Sequence, residues 1–96
     1  MSTEGLFTLG QVVSTQGAAD LMLSTNITVF QLTDRHITGD WGELSLEDAA
    51  ANEDALRLGH GGRILSVYEI GDNQSIVWVI TEADRSVTTI MLPSEY

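Results

Sequence analysis

The residue types best suited to metal or acid–base chemistry lie close together at His36, Asp40 and Glu43, with Asp34 nearby. A histidine followed after four residues by a carboxylate can offer two ligands to one cation, which is compatible with a small metal-dependent hydrolase or nuclease. Zinc sites need three or four converging ligands, however, and one histidine among carboxylates is a weak signal. A structural role explains the same residues, because a charged histidine favours a helix C-terminus and an aspartate caps a turn. We favour the structural role and expect no metal and no cofactor.

A second polar cluster, Glu82, Asp84 and Arg85, falls in the connection between two predicted strands. A loop held by two rigid strands is a good position for a catalytic or recognition group. An arginine between acids also forms a local ion pair, worth ~0–1 kcal/mol when it is exposed, and we favour that role. Nucleophilic catalysis has less support, because no serine lies in a Gly-x-Ser-x-Gly elbow and the chain has no cysteine. The glycines of residues 59–62 follow a predicted helix, not a strand, and therefore predict a helix stop and not a phosphate-binding loop.

The charge of the chain is its most unusual bulk property. Fourteen acidic residues face four arginines and no lysine, which gives a formal net charge of −10. A field of this sign repels phosphate backbones, so we expect no direct binding to nucleic acid. Three interpretations of the acidity remain open: docking on a basic protein, imitation of DNA against a DNA-binding protein, or solubility alone.

The length and composition indicate one folded domain over residues 1–96. Hydrophobic residues make up 43% of the chain, which is typical of a globular protein. No apolar run approaches the ~18 residues that span a bilayer, and no basic region precedes the apolar patch near Met1. We therefore expect a cytoplasmic protein without a membrane contact.

Three runs rich in β-branched and aromatic residues, at 63–70, 75–81 and 86–92, predict an antiparallel three-stranded meander. Side chains alternate along a strand, so Ile76, Trp78 and Ile80 point to one side of the middle run and valines to the other. Both faces of that strand are apolar, which predicts a central, covered strand. The last run is a possible sheet edge, and pairing with a second copy to form a homodimer is plausible.

Helix signals precede the meander. Thr15 is a possible N-cap for a helix over residues 16–23, and Thr28 with Gln31 fits a capping box for a helix over residues 29–37. A third helix is predicted from Ser45 to residue 57 or 58, with Leu46, Ala49, Ala50 and Leu56 facing inward. Residues 6–14 predict an apolar arm or a short edge strand. The predicted fold class is α+β, with about three short N-terminal helices packed on a C-terminal three-stranded antiparallel meander.

Four strings of the sequence resemble a family of small bacterial proteins encoded on plasmids and integrated elements. The strings are residues 9–15 (LGQVVST), 35–44 (RHITGDWGEL), 63–66 (RILS) and 78–86 (WVITEADRS). Members are often labelled plasmid-related protein or a methylation subunit of a type I restriction enzyme. The second label does not fit a chain with no room for a methyltransferase domain and no glycine-rich loop after a strand. Gln16 stands where the family pattern has a proline, which affects only the helix start.

These observations favour a non-enzymatic accessory protein of a mobile element that acts by binding another protein. The predicted contact residues are Asp40, Trp41, Glu43, Glu82, Asp84 and Arg85, if the fold brings the two segments to one end. A narrower version is an acidic DNA mimic that inhibits restriction machinery, and it requires carboxylates in line at about 7 Å spacing. The alternative from another class is the metal-dependent hydrolase or nuclease that uses His36, Asp40 and Glu43.

Overall fold

The computed structural model describes residues 5–57 and 62–96. One strand comes first, three helices follow it, and three strands and a short 3-10 helix complete the described part. The elements in chain order are β1 (Gln11–Ser14), α1 (Gln16–Thr25), α2 (Val29–Ile37), α3 (Leu46–Arg57), β2 (Ile64–Ile70), β3 (Ser75–Thr81), β4 (Val87–Met91) and the 3-10 helix Pro93–Glu95.

The strands form one mixed sheet in the order β1-β4-β3-β2. The α+β class and the antiparallel meander of β2, β3 and β4 are confirmed. The prediction of only three strands is wrong, because β1 pairs with β4 in parallel, with Gln11 opposite Val87. The helices therefore lie between β1 and β2 and do not precede every strand. The prediction that β4 is a sheet edge is also wrong, since β4 lies between β1 and β3.

Helices α1 and α2 cover one face of this sheet, which we call the inner face. Both begin as their caps predict: Thr15 accepts a hydrogen bond from the Ala18 N–H, and Thr28 forms a complete capping box with Gln31. Each fully buried aliphatic side chain contributes on the order of 1.5–3 kcal/mol through the apolar surface that it removes from water. The side chains that form this core are Ala18, Met22, Leu32, Tyr68, Ile70, Val77, Val79 and Ile90.

Helix α3 packs beside β2 and forms a second cluster around Ala55, Ile64 and Trp41. The prediction that Leu46 faces inward is wrong, because its exposed fraction is 91%. At 100° per residue Leu46 and Ala55, nine positions apart, lie on opposite sides of the helix. The contacts of Ala55 and Asn52 with β2 therefore turn Leu46 outward.

The connection after α2 begins at Gly39, whose φ of +91° suits the left-handed region that glycine favours. The predicted helix end at Thr38 and Gly39 is confirmed. The predicted stop after α3 falls largely on residues 58–61, outside the described residues. Within the described ranges, none of the helices combines the length and the hydropathy that a bilayer span requires.

Candidate functional site

His36 lies in the last turn of α2, as expected, but it is fully buried against the inner face and does not serve as the charged helix end that the sequence favoured. Its ring nitrogen Nδ1 lies 2.6 Å from Ser66 Oγ on β2. Its Nε2 lies 3.0 Å from Thr81 Oγ1 on β3. Helix α2 thus uses its one inward imidazole to join two neighbouring strands.

The hydrogens of this network can be assigned by counting donors. The Leu9 carbonyl can only accept, so Thr88 uses its hydroxyl proton to donate to it over 2.7 Å. Thr81 must then donate to Thr88 over 2.7 Å, which leaves Thr81 Oγ1 to accept from His36 Nε2–H. His36 Nδ1 carries no proton and accepts from the Ser66 hydroxyl. The chain of hydrogen bonds is complete only with neutral His36 protonated at Nε2.

Burial lowers the pKa of His36 from 6.5 to about 4, because the charged ring would lose its hydration. The imidazole is therefore neutral at pH 7 and has no nitrogen left for a metal. The aspartate of the predicted set is engaged elsewhere, since Asp40 Oδ2 lies 2.6 Å from Arg35 Nε. In the ranges 5–57 and 62–96, no three His, Asp or Glu side chains gather at distances that suit a metal ion. The geometry gives no support to the alternative of a metal-dependent hydrolase built on His36, Asp40 and Glu43.

Trp41, predicted as a contact residue, is only 8% exposed and packs inside the second cluster. Its indole Nε1 donates to Glu53 over 3.2 Å, and its ring lies 6.5 Å from that of Phe7. Asp40 stays outside, where the Arg35 guanidinium lowers the pKa of its carboxyl. Asp40 also accepts the Gly42 N–H over 3.1 Å. Trp41 therefore leaves little side-chain surface for a partner, whereas the Asp40 side chain is exposed but already bonded to Arg35 and Gly42.

The loop after β3 is held by contacts within itself. Arg85 does not form the predicted ion pair with its acidic neighbours: its Nη1 donates to the carbonyls of Glu82 and Ala83, each at 3.1 Å. Asp84 accepts from the Ser86 N–H and hydroxyl at 3.0 and 2.6 Å, and these bonds lower the pKa of its carboxyl. The loop is therefore a folded turn in which Arg85 and Asp84 satisfy local groups.

The two predicted contact segments do meet at one end of the sheet. Phe7 lies between them, with its ring stacked beside Trp41 and the Arg85 guanidinium carbon 5.9 Å from its centroid. Their remaining predicted members, Glu43 and Glu82, have exposed side chains. Carboxylates, and not the tryptophan or the arginine, are what these segments offer to solvent.

The face of the sheet opposite α1 and α2, which we call the outer face, carries an apolar surface across all four strands. The strand register places Val67, Trp78 and Met91 in one row across the sheet. A second row runs from Leu65 through Ile80 and Thr89 to Val13. Most of these side chains are half-buried, and the exposed fraction of Val13 is 38%. The prediction that both faces of β3 are covered is therefore only half right. The outer face comprises Val13, Leu65, Val67, Ile76, Trp78, Ile80, Val87, Thr89 and Met91.

A pocket of about 500 Å³ opens on this face between α3 and the aromatic ring of Tyr96. The Tyr96 ring lies 5.5 Å from that of Trp78, and its hydroxyl accepts from Arg63 Nη1 over 2.9 Å. The volume falls in the range of small-ligand and anchor side-chain pockets. The lining residues are Asp48, Ala51, Asn52, Gly62, Arg63, Leu65, Trp78, Ile80 and Tyr96.

Four exposed carboxylates lie along the β2–β3 side of the outer face, and we call them the acidic rim: Glu43, whose N–H bonds to Val67, Asp48 at the pocket, Glu69 near the end of β2 and Glu82 just after β3. Two of the four arginines are paired within the protein, Arg35 with Asp40 and Arg57 with Asp54. The other two donate to neutral oxygens of Tyr96 and of loop carbonyls. Most of the acidic excess is therefore presented to solvent.

Sequence reasoning found Trp78 and the apolar character of both faces of β3, but it did not find the outer face as a surface. The available signal was the apolar type of the residues that alternation places on the second face of each strand: Val67 on β2, Ile76 and Trp78 on β3, and Met91 on β4. It could not show that all three helices would pack on the other face or beside β2. Asn52 gave no signal of its place at the pocket.

No protein-family model matches this chain, and neither a curated protein nor a solved structure matches it. The fold defines it as an α+β protein with a four-stranded mixed sheet. The resemblance to proteins of plasmids and integrated elements stays a prediction. The function is therefore argued from the geometry of the outer face.

Proposed function

We propose that this chain is a non-enzymatic binding protein that docks another protein on its outer face. The observation that carries the proposal is an apolar surface across four strands, bordered by carboxylates on its β2–β3 side. The partner that fits it presents an apolar projection bordered by lysine or arginine. An accessory role for a plasmid or integrated element, in the cytoplasm, belongs to the same proposal.

The apolar part of the surface has the composition of an interface centre. Fully buried interface centres are depleted of charged residues and enriched in aromatic residues and methionine, and Trp78, Tyr96 and Met91 are of these types. Truncating the few tryptophans or tyrosines at the centre of an interface commonly costs 2 kcal/mol or more, by the general order of hot-spot measurements. The pocket beside Trp78 can take one large apolar side chain of the partner. Trp78 and Tyr96 are therefore the expected anchors.

The acidic rim supplies selection and speed of association. Charges at the border of an interface steer encounter and reject partners of the same sign more than they add affinity. A net charge of −10 makes the attraction to a basic partner long-ranged at low salt, and salt screens it within about 8–10 Å. Binding should therefore be slower, but still specific, when salt is raised.

An acidic imitation of DNA is the narrower form of this proposal. DNA presents regularly spaced phosphates without an apolar centre between them. The acidic rim instead lies beside half-buried side chains such as Val67 and Trp78, and other acids lie on all three helices. The arrangement favours a partner that buries an apolar patch. It does not favour a partner whose binding groove is shaped for a DNA duplex.

The test is capture from an extract of the natural host, with one substitution on the outer face and a matched one elsewhere. Met91→Lys places a cation among the half-buried side chains of the outer face. Leu23→Lys makes the same kind of change on α1, where Leu23 is already 83% exposed. We expect the wild type and Leu23→Lys to retain the same protein and Met91→Lys to lose it by about tenfold or more in affinity. Equal capture by both variants, each shown to be folded, would place the partner elsewhere and refute the proposal.

A further inference from the structure

The edge of the sheet at β2 is closed by hydrogen bonds from neighbouring residues. Asn52 acts like a strand residue: its Nδ2 donates to the Leu65 carbonyl over 2.7 Å and its Oδ1 accepts the Leu65 N–H over 3.1 Å. Val67 is the next residue of β2 whose main-chain groups point away from β3. Its N–H donates to the Trp41 carbonyl over 3.0 Å, and its carbonyl accepts from the Glu43 N–H over 2.6 Å. Another chain therefore cannot pair with these two positions.

The connection that closes this edge requires a glycine at its closest point. Gly42 forms an isolated bridge with Val67 at a φ of +71°. A Cβ at Gly42 would lie 2.0 Å from the Val67 carbonyl oxygen, so no other residue fits without moving the backbone. Side-chain hydrogen bonds from Asn52 and main-chain hydrogen bonds from the connection after α2 therefore both close the β2 edge.

The opposite edge, at β1, is open. Parallel pairing uses alternate residues: the Gln11 N–H donates to the Ser86 carbonyl just before β4 over 2.9 Å, and the Thr15 N–H donates to the Ile90 carbonyl of β4 over 3.0 Å. The N–H and C=O groups of Val12 and Ser14 therefore point away from β4, toward the open side of the sheet edge. In the part of the chain that the structure describes, no main-chain group from outside β1 and β4 bonds to Val12 or Ser14. All four residues of β1 are exposed.

We propose that β1 pairs antiparallel with β1 of a second copy of this chain, about a two-fold axis at Val13. In this register Val12 lies opposite the partner's Ser14, and each such pair exchanges two N–H···O bonds, which gives four in total. Val13 faces its own counterpart as a non-hydrogen-bonded pair, with the two side chains close together on the outer face. The two sheets become one sheet of eight strands.

A second copy fits this edge better than a segment of a basic partner. The strand reads Gln-Val-Val-Ser and carries no charge, so pairing it with itself brings no carboxylates together in a protein of net charge −10. It offers a lysine-rich or arginine-rich segment no opposite charge to recognise. A charged side chain and a proline, two devices that guard exposed edges, are missing from these four residues, and the shortness of β1 limits the dimer to few bonds. The proposal is independent of partner docking, and its consequence is a doubled outer face with one pocket on each half.

The test is the mass in solution of the full chain by sedimentation over a range of concentrations up to about 1 mM, the range of weak association. Val12→Pro removes an N–H that points away from β4 and also fixes φ at that position, whereas the control Val12→Thr keeps the N–H. We expect the wild type and Val12→Thr to dimerise and Val12→Pro to dissociate at least about tenfold more readily. Val13→Lys, which places two like charges beside the axis, should do the same if proline perturbs β1. Amide exchange at Val12 and Ser14 should slow as the concentration of the wild type rises.

Three results would overturn the dimer: a wild type that stays monomeric at every concentration, Val12→Pro and Val13→Lys dimers as tight as wild type, or protection of Val12 and Ser14 only when another protein is captured. Met91→Lys should still dimerise through β1. The dimer and the docking proposal can therefore fail separately.

Discussion

The two faces of the sheet differ in how completely the protein buries their side chains and pairs their polar groups. On the inner face every core side chain is buried, and even the polar groups of His36, Ser66, Thr81 and Thr88 bond to one another. On the outer face most side chains of the same strands are only half-buried, although Ile80 is buried, and a pocket and an acidic rim lie beside them. The inner face therefore carries the stability of the fold, while most of the outer face stays partly exposed to solvent.

The largest expected effect compares neighbouring residues of β4 that point to opposite faces. Ile90→Ala removes a fully buried side chain and should cost about 2–5 kcal/mol of unfolding free energy, the usual range for such a cavity. Met91→Ala, on the outer face, should cost about 1 kcal/mol or less, because a half-buried side chain leaves no enclosed cavity. Urea unfolding of the two variants measures the difference. Equal losses would show that both faces are core.

The next effect is the acid sensitivity of the inner face. An unfolded chain binds a proton on His36 below pH 6.5, whereas the folded chain does so only near pH 4. Stability is therefore greatest above pH 6.5 and falls by about 3 kcal/mol on the way down to pH 4, at about 1.4 kcal/mol per pKa unit. Unfolding titrations from pH 8 to pH 4 should show this slope, and His36→Gln should lack it. A His36 ring that titrates near pH 6.5 by NMR would contradict the buried network.

A smaller effect separates the closed edge from the open one. Asn52→Ala leaves the Leu65 N–H and C=O without their side-chain partners and should cost about 1–3 kcal/mol. Gln11→Ala, on the exposed strand β1, should stay within about 0.5 kcal/mol, as surface substitutions do. Thermal unfolding of both variants measures the contrast. Equal losses from the two substitutions would show that the Asn52 hydrogen bonds do not contribute measurably to the free energy of unfolding.

The smallest effect concerns the exposed ion pair of Arg35 and Asp40, whose side chains are 41% and 49% exposed. Water screens such a pair, so Asp40→Asn should change the unfolding free energy by about 0–1 kcal/mol. The Arg35 guanidinium also lies 4.2 Å from the Tyr68 ring centroid, a contact that the substitution leaves in place. The loss should shrink further in about 1 M salt, where the Debye length is about 3 Å. A loss that is larger than this and independent of salt would indicate a structural role for Asp40.

Local sequence signals predicted the elements well where the cause is local. The capping box of Thr28, the glycine end of α2 and the central position of β3 were all readable from short strings. The pairing of β1 with β4 was not, because four residues carry too little pattern to specify a distant parallel partner. The phase of α3 was also wrong, since the contact of Asn52 with the β2 main chain, and not hydrophobic periodicity, turns Leu46 outward.

The candidate site was less predictable than the fold. His36 shares a helix face with Leu32, which was the available sign of burial, yet its polar type suggested a ligand. Trp41 suggested recognition by its type alone, but a large aromatic side chain in a glycine-containing turn is equally suited to fill a core. Only the tertiary packing shows which face of the sheet the helices leave open.

The most direct measurement of the central claim is methyl NMR with a soluble paramagnetic probe, which broadens the signals of groups that solvent can approach. We expect strong broadening of the methyl signals of Val13, Ile76 and Met91 on the outer face and none for Val77, Val79 and Ile90 on the inner face. Equal protection of both sets in the monomer would contradict the division of the sheet into a closed core and an open docking surface.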